Sequence, residues 1–293
     1  MASTIFNTNL KSLELLHRGK VRDLYRVDSE KLLIVQTDRI SAFDRVLPTP
    51  IPGKGQILTK MTQYWFKKFS DSINHHWLEL EPEKFVMESE ISCIANRALI
   101  VKRLTPLPIE AVVRGYIAGS GWKEYEKNKT ISGQKLRDGL KLGEKLEDPI
   151  FTPSSKAKVG EHDENISYLD MKNIVGSDFA VKIKKISLLL YKKAWRHCIN
   201  RGIIVADTKF EFGVNKEGQL FVIDEILTPD SSRFWEKNNY AVGSSPFSFD
   251  KQFIRDWLEN GDFSKYNHAP EVPPHIVEGT KKKYEEALNI MCQ

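Results

Sequence analysis

The sequence predicts one compact body of two lobes, in which antiparallel hairpins carry flanking helices. Three observations predict it. Two pairs of runs with period-two alternation are each separated by a short turn segment, which is the signature of a hairpin. Apolar stripes of helical period recur between and after these runs. A chain of 293 residues is large for one core and small for two full domains.

Taken in order, the first lobe opens with His17-Arg18-Gly19-Lys20-Val21-Arg22-Asp23-Leu24-Tyr25, and residues 21–27 and 31–37 form a hairpin across Asp28-Ser29-Glu30. Arg18, Lys20 and Arg22 crowd a strand entrance beside a glycine, where backbone N–H groups can approach an anion and the cations add charge. The same residues also suit an exposed basic strand. Asp38-Arg39-Ile40-Ser41-Ala42-Phe43-Asp44 reads as a polar loop with carboxylates and a hydroxyl. After Gly53-Lys54-Gly55 a helix is expected over 56–69, with Ile57, Met61, Trp65 and Phe69 on one inward side.

Residues 97–104 and 109–117 read as two more strands, joined by Thr105-Pro106-Leu107-Pro108 as a stiff connector and plausible hinge. The second strand runs into Arg114-Gly115-Tyr116-Ile117-Ala118-Gly119-Ser120-Gly121-Trp122, where the glycines around Ser120 offer N–H groups at the start of a short helix, 122–127. A plain strand-to-helix turn fits these residues equally well. Residues 128–165 show no sustained periodicity and are expected to be a mostly irregular excursion. Within it, Glu161-His162-Asp163-Glu164 has the wrong spacing for helical metal ligands and reads as a solvated acidic loop. Ser167-Tyr168-Leu169-Asp170 resembles a capping box that starts a short helix. A long helix follows over 179–200, with Ile183, Ile186, Leu190 and Trp195 inward and Gly202 as its stop. Helices over 248–261 and 277–291 close the chain; the last is expected on the surface, and neither displays chemistry.

The stretch from Gly202 to Trp235 organises the rest. Residues 203–214 and 219–227 alternate with period two across Asn215-Lys216-Glu217-Gly218, a hairpin. Asp207, Lys209 and Glu211 share one face of the first strand, while Thr208, Phe210 and Phe212 take the other. A loop of two or four residues centred on Lys216-Glu217 sets Lys209 opposite Asp224, with Glu211 one diagonal step away. Charges flanked by apolar residues need partners. A divalent cation such as Mg²⁺, which takes one or two carboxylates and completes its shell with phosphate and water, is one partner; an ion pair of Lys209 with Asp224 is the other.

Composition narrows the class. The chain is 41% hydrophobic and 28% charged, with 44 basic against 39 acidic residues for a net charge of +5. This small excess suits anionic metabolites, but no dense basic block marks a nucleic-acid surface. Cys93, Cys198 and Cys292 are far apart and lack CxxC spacing, so reduced thiols in a cytoplasmic protein are expected. No signal peptide and no run of about 18 apolar residues appears, so a soluble protein with no membrane partner is expected.

Five blocks then carry a resemblance: HRGKVRDLY at 17–25, RISAFD at 39–44, EAVVRGYIAGSGW at 110–122, DTKFEFG at 207–213 and DEILTPDSSRFW at 224–235. In this order they closely resemble the SAICAR synthetase family, the phosphoribosylaminoimidazole-succinocarboxamide synthases of purine biosynthesis. The resemblance implies an α+β fold with two lobes related to ATP-grasp enzymes, divided here as 1–104, a nucleotide-binding lobe, and 105–293, a lobe carrying metal and ribonucleotide sites. It implies ATP-dependent ligation of L-aspartate to the carboxylate of 5-aminoimidazole-4-carboxylate ribonucleotide. It further implies that Lys20, Arg22, Lys102 and Lys209 serve ATP, and that Glu211 and Asp224 hold Mg²⁺, with Lys209, Glu211 and Asp224 as the catalytic group. Arg114, Ser120, Asp163, Asp230, Ser232 and Arg233 match positions for the ribonucleotide, Ser41 and Asp44 lie in the same cleft, and Lys156 matches a loop lysine. The chain's length resembles the longer family members, which favours a monomer. Two other classes share part of this pattern. A small-molecule kinase needs the same lysine and carboxylates, and a non-catalytic nucleotide-binding module needs the cleft without the PDSSRFW cluster; aspartate-dependent ADP release separates both from a ligase.

Overall fold

The computed structural model describes residues 4–156, 164–244, 246–261 and 268–293. The fold is α+β, with two large antiparallel sheets and, among the described residues, two further two-stranded ones. The first has the order Glu14–Arg18, Arg22–Arg26, Lys31–Gln36, Ala98–Lys102. The hairpin expected over 21–37 is its centre, and Glu14–Arg18 adds an outer strand on the far side of Gly19-Lys20-Val21.

The second sheet is built around Ile203–Val214, a strand of 12 residues whose apolar positions are buried almost throughout. Its first half pairs with Ile109–Tyr116 on one side and Ser232–Glu236 on the other. Its second half pairs with Leu220–Ile223 and with Thr105–Pro106. The proline connector is thus part of the sheet, and Leu107 N–H donates to the Phe212 carbonyl at 2.8 Å. Residues 74–78 stitch the two sheets together: Val222 N–H donates to the Asn74 carbonyl at 2.9 Å, and Lys102 N–H to the His76 carbonyl at 2.8 Å.

Helix Lys54–Phe69 turns Leu58, Met61, Trp65 and Phe69 into a core that also holds Phe210, Phe212, Leu190 and Tyr284, so one apolar interior underlies both sheets. The capping box at Ser167 is formed: its hydroxyl accepts from Asp170 N–H at 3.1 Å and its N–H donates to the Asp170 carboxylate at 3.2 Å. Helix Tyr168–Val175 follows it, and Ser177–Ile199 is the long helix.

Three expectations are corrected. Residues 128–165 contain strand Lys145–Phe151, paired with Ile109–Tyr116 through a register shift between Lys145 and Ile150. The irregularity, next to Pro149, breaks the period-two signal, as an outer strand tolerates. The organising hairpin pairs Val214 with Leu220, leaving five residues in the loop rather than two or four. This shifts the register by one, so Glu211 faces Ile223 and Lys209 is not opposite Asp224. Finally, helix Pro274–Met291 is not a surface appendage. Tyr284, Ala287 and Met291 along one side are completely buried, and their spacing is a core stripe that the surrounding lysines and glutamates obscure.

Candidate active site

Strand alternation does the first work at the site. Asp207, Lys209 and Glu211 project from one face of Ile203–Val214, and the register with Ile109–Tyr116 sets Arg114 beside Asp207. Lys209 Nζ donates to Glu110 Oε1 at 2.5 Å and lies 3.5 Å from Glu211 Oε1, while Lys156 pairs with the other Glu211 oxygen. Burial alone would lower the Lys209 pKa, but Glu211 and Glu110 outweigh it and hold the ammonium charged above the ordinary lysine range. Burial alone would raise Glu211; Lys209, Lys156 and Arg22 reverse this and hold it down to about 2.

Asp224 follows the end of Leu220–Ile223 with a left-handed backbone, φ 66°, which turns its carboxylate out of the ladder and onto Arg22 of the first sheet. The ion pair left open between Lys209 and Asp224 is therefore made with different partners: Asp224 with Arg22, and Lys209 with Glu110. Burial pushes Asp224 up to about 6 against the pull of Arg22, with Glu211 and Glu225 adding repulsion. Among the described residues no three His, Cys, Asp or Glu side chains gather as a metal cage. Glu211 and Asp224 nevertheless fit Mg²⁺: they are two hard oxygen donors whose mutual repulsion a divalent cation would relieve, and Mg²⁺ commonly takes one or two carboxylates.

The other end of the cleft is a guanidinium pair. One oxygen of buried Asp207 takes Arg114 Nη1 at 3.1 Å and Arg233 Nη1 at 2.7 Å. Arg114 is held further by Thr152 Oγ1 and Ser120 Oγ, each at 3.0 Å. Gly119, at φ +55°, lies so close to Arg233 that an added Cβ would sit 2.5 Å from its Cζ. The glycines around Ser120 thus make room for cations, beyond the backbone N–H role that the sequence suggests.

A cavity of about 710 Å³ runs from the Lys209–Glu110 pair to the two guanidinium groups, while Glu211, Asp224 and Lys156 lie outside its lining. Lys20, Arg22, Ser41, Asp44 and Lys209 line it with Arg114, Ser120, Asp230, Ser232 and Arg233. Ser41 and Asp44 stand on a tight turn of their own, and Lys20 reaches Asp44 at 2.5 Å. Ser232 shares a hydrogen bond of 2.8 Å with Thr208. Lys102 stands apart, its Nζ 4.6 Å from the centre of the Phe221 ring. Asp163 lies outside the described residues.

Sequence reasoning missed several groups here. Asp230 is buried with three partners: Lys54 and Lys251 lie 2.8 and 3.1 Å from Oδ2, and the Tyr284 hydroxyl donates to Oδ1 at 2.7 Å. Lys251 and Arg255, at helix Gln252–Asn260, also line the cavity, as does Glu110. Nothing local to Gly53-Lys54-Gly55 or to Tyr284 signals this role.

Comparisons with known proteins point to one family. The family model described as SAICAR synthetase matches residues 15–272. The chain is 50% identical to the phosphoribosylaminoimidazole-succinocarboxamide synthase of Nitrosomonas europaea, over 99% of each chain. Among solved structures it is similar to the SAICAR synthase of Saccharomyces cerevisiae complexed with SAICAR, with TM-score 0.90 and 41% identity over 99% of this chain and 98% of that one. It is also similar to a SAICAR synthetase in complex with ADP, with TM-score 0.68 and 25% identity over 93% and 98% of the two chains.

Proposed function

The chain belongs to the SAICAR synthetase family, and from that premise we propose that it joins L-aspartate to the carboxylate of 5-aminoimidazole-4-carboxylate ribonucleotide, with ATP converted to ADP and phosphate. The observation that carries the reading is one cavity with a lysine–carboxylate cluster at one end and two guanidinium groups on a shared aspartate at the other. The first suits a polyphosphate and a metal, the second an anionic ribonucleotide.

Lys20, Arg22 and Lys209 face the ATP phosphates in this reading, and Lys102 flanks the nucleotide. Glu211 and Asp224 would hold Mg²⁺, which when bound would supply positive charge to offset that developing on the β- and γ-phosphates. Arg114 and Arg233 clamp the ribonucleotide, where a planar fork recognises an anion better than an ammonium. Ser41, Asp44, Ser120, Asp230 and Ser232 complete that subsite; Lys156, the loop lysine, would reach the ribonucleotide from its pair with Glu211, and Asp163 is carried by sequence alone. Residues 1–104 and 105–293 are the two lobes, and the reading carries with it a cytoplasmic monomer. Light scattering on purified protein checks the oligomeric state.

A carboxylate resists amine attack because it is anionic and has no leaving group. We infer that one of its oxygens first attacks the γ-phosphorus of ATP, breaking the bond to ADP and forming an acyl phosphate. The aspartate amine then attacks the acyl carbon, phosphate leaves with the carboxylate oxygen, and the nitrogen loses a proton. Orientation alone, worth about 7–11 kcal/mol at best, does not supply a leaving group. Coupled ADP release should require ATP, ribonucleotide and aspartate together. With ¹⁸O in the ribonucleotide carboxylate, one label per turnover should appear in phosphate; phosphate without label would exclude the acyl phosphate.

A further inference from the structure

We propose that Tyr284 is a positioning residue of the ribonucleotide subsite, acting through Asp230 from the C-terminal helix. The proposal rests on the assignment of Asp230 to that subsite. Asp230 lies at the cavity wall with its side chain only 2% exposed, and its carboxylate is held from three distant parts of the chain. Lys54, at the start of helix Lys54–Phe69, and Lys251, just before helix Gln252–Asn260, both approach Oδ2. Both act on that one oxygen, and their charge holds the carboxylate ionised.

Contacts on one oxygen do not by themselves set the plane of a carboxylate, because the terminal torsion of aspartate is broad. The Tyr284 hydroxyl on Oδ1, at 2.7 Å, supplies the missing direction. Its ring is completely buried in the shared core and cannot follow the carboxylate if that rotates. Burial, together with Asp230, raises the phenol well above its ordinary range, so at neutral pH it remains a donor. The seating of helix Pro274–Met291 is thereby read out at the cavity wall 54 residues away in sequence.

The test is Tyr284→Phe, which keeps the ring, compared with Asp230→Asn and with the double variant in the coupled ADP-release assay. For Tyr284→Phe the ribonucleotide KM should rise on the order of tenfold, as expected for one hydrogen bond to a charged group. KM for ATP and for aspartate should stay within about twofold, which a general loss of packing would not leave unmoved. In the Asp230→Asn background the same change should add less than about twofold, because its effect passes through the carboxylate. Lys54→Met, acting on the other oxygen, should also raise the ribonucleotide KM selectively. If Asp230→Asn raises that KM but Tyr284→Phe does not, Tyr284 is packing only and the assignment of Asp230 survives. Full, multiplicative effects in the double variant would equally overturn the proposal. An unchanged KM in Asp230→Asn removes both the assignment and the proposal.

Discussion

Replacing Gly119 by alanine tests the guanidinium clamp without touching either arginine. The backbone at Gly119 is left-handed, φ +55°, and a Cβ there would lie 2.5 Å from Arg233 Cζ and 2.9 Å from its Nη1. Two separate costs arise. Alanine in a left-handed conformation costs about 1–2 kcal/mol, and this falls on stability, lowering Tm by a few degrees in a protein of this size. The steric overlap falls on the site. The guanidinium cannot stay 2.7 Å from Asp207 Oδ2 and must move by roughly an ångström, a misplacement that can cost on the order of 10²-fold. Losing the charged hydrogen bond alone costs about 1.5–3 kcal/mol, or about tenfold to a hundredfold. The expectation is therefore a ribonucleotide KM raised between these limits, with KM for ATP nearly unchanged. Gly121→Ala is the control. Its Cβ would approach Arg114 side-chain atoms only to 3.0–3.3 Å, so a small adjustment accommodates it and the effect should be several times weaker. A ribonucleotide KM within about twofold of the parent in Gly119→Ala, at a lowered Tm, would show that Arg233 takes no part in holding the substrate.

Glu211→Gln and Asp224→Asn should each abolish ADP release while circular dichroism shows a folded protein; full activity of either at saturating Mg²⁺ would refute the metal assignment. Arg233→Lys keeps the charge and loses the fork, so the ribonucleotide KM should rise while that for ATP holds, and the reverse pattern would move Arg233 to the nucleotide. Burial, helped by Lys54 and resisted by Asp230, lowers Lys251 to about 8, so the ribonucleotide KM should climb above pH 8 and this alkaline limb should vanish in Lys251→Met. The sign for stability is the opposite of a gain: the folded value lies below the unfolded one, so charged Lys251 costs stability in full below pH 8, and the cost is relieved as pH rises from 8 towards 10.5.

The parts of this architecture that were legible share one property, a local signal repeated over several residues. The Arg22–Arg26 and Lys31–Gln36 hairpin, the long helix and the capping box at Ser167 each depend on neighbours within a few positions. Alternation on Ile203–Val214 likewise put Asp207, Lys209 and Glu211 on one face, as found. What alternation cannot supply is the cross-strand partner, since that depends on loop length. Here Asn215 holds the turn with its own side chain, accepting from Gln219 N–H at 2.7 Å and donating to the Gln219 side chain at 2.8 Å. One more residue enters the loop, and every expected pairing moves by one.

That shift explains why the acidic cluster keeps its place while its partners change. Had the ladder continued straight past Ile223, Asp224 would lie in the strand, pointing to one face of the sheet. Its left-handed backbone instead swings the carboxylate across to Arg22, 202 positions earlier in the chain and in the other sheet. The same dependence on distant chain holds for Asp230, whose partners Lys54, Lys251 and Tyr284 come from three helices or their first turns. Each of these residues looks ordinary within its own element: a lysine between glycines, a lysine before a helix, one aromatic in a stripe of core. Packing the C-terminal helix against both Lys54–Phe69 and Gln252–Asn260 brings them to one carboxylate. With Asp230 in the proposed ribonucleotide subsite, the site depends on the last helix being seated, although that helix's own sequence carries no motif of the chemistry.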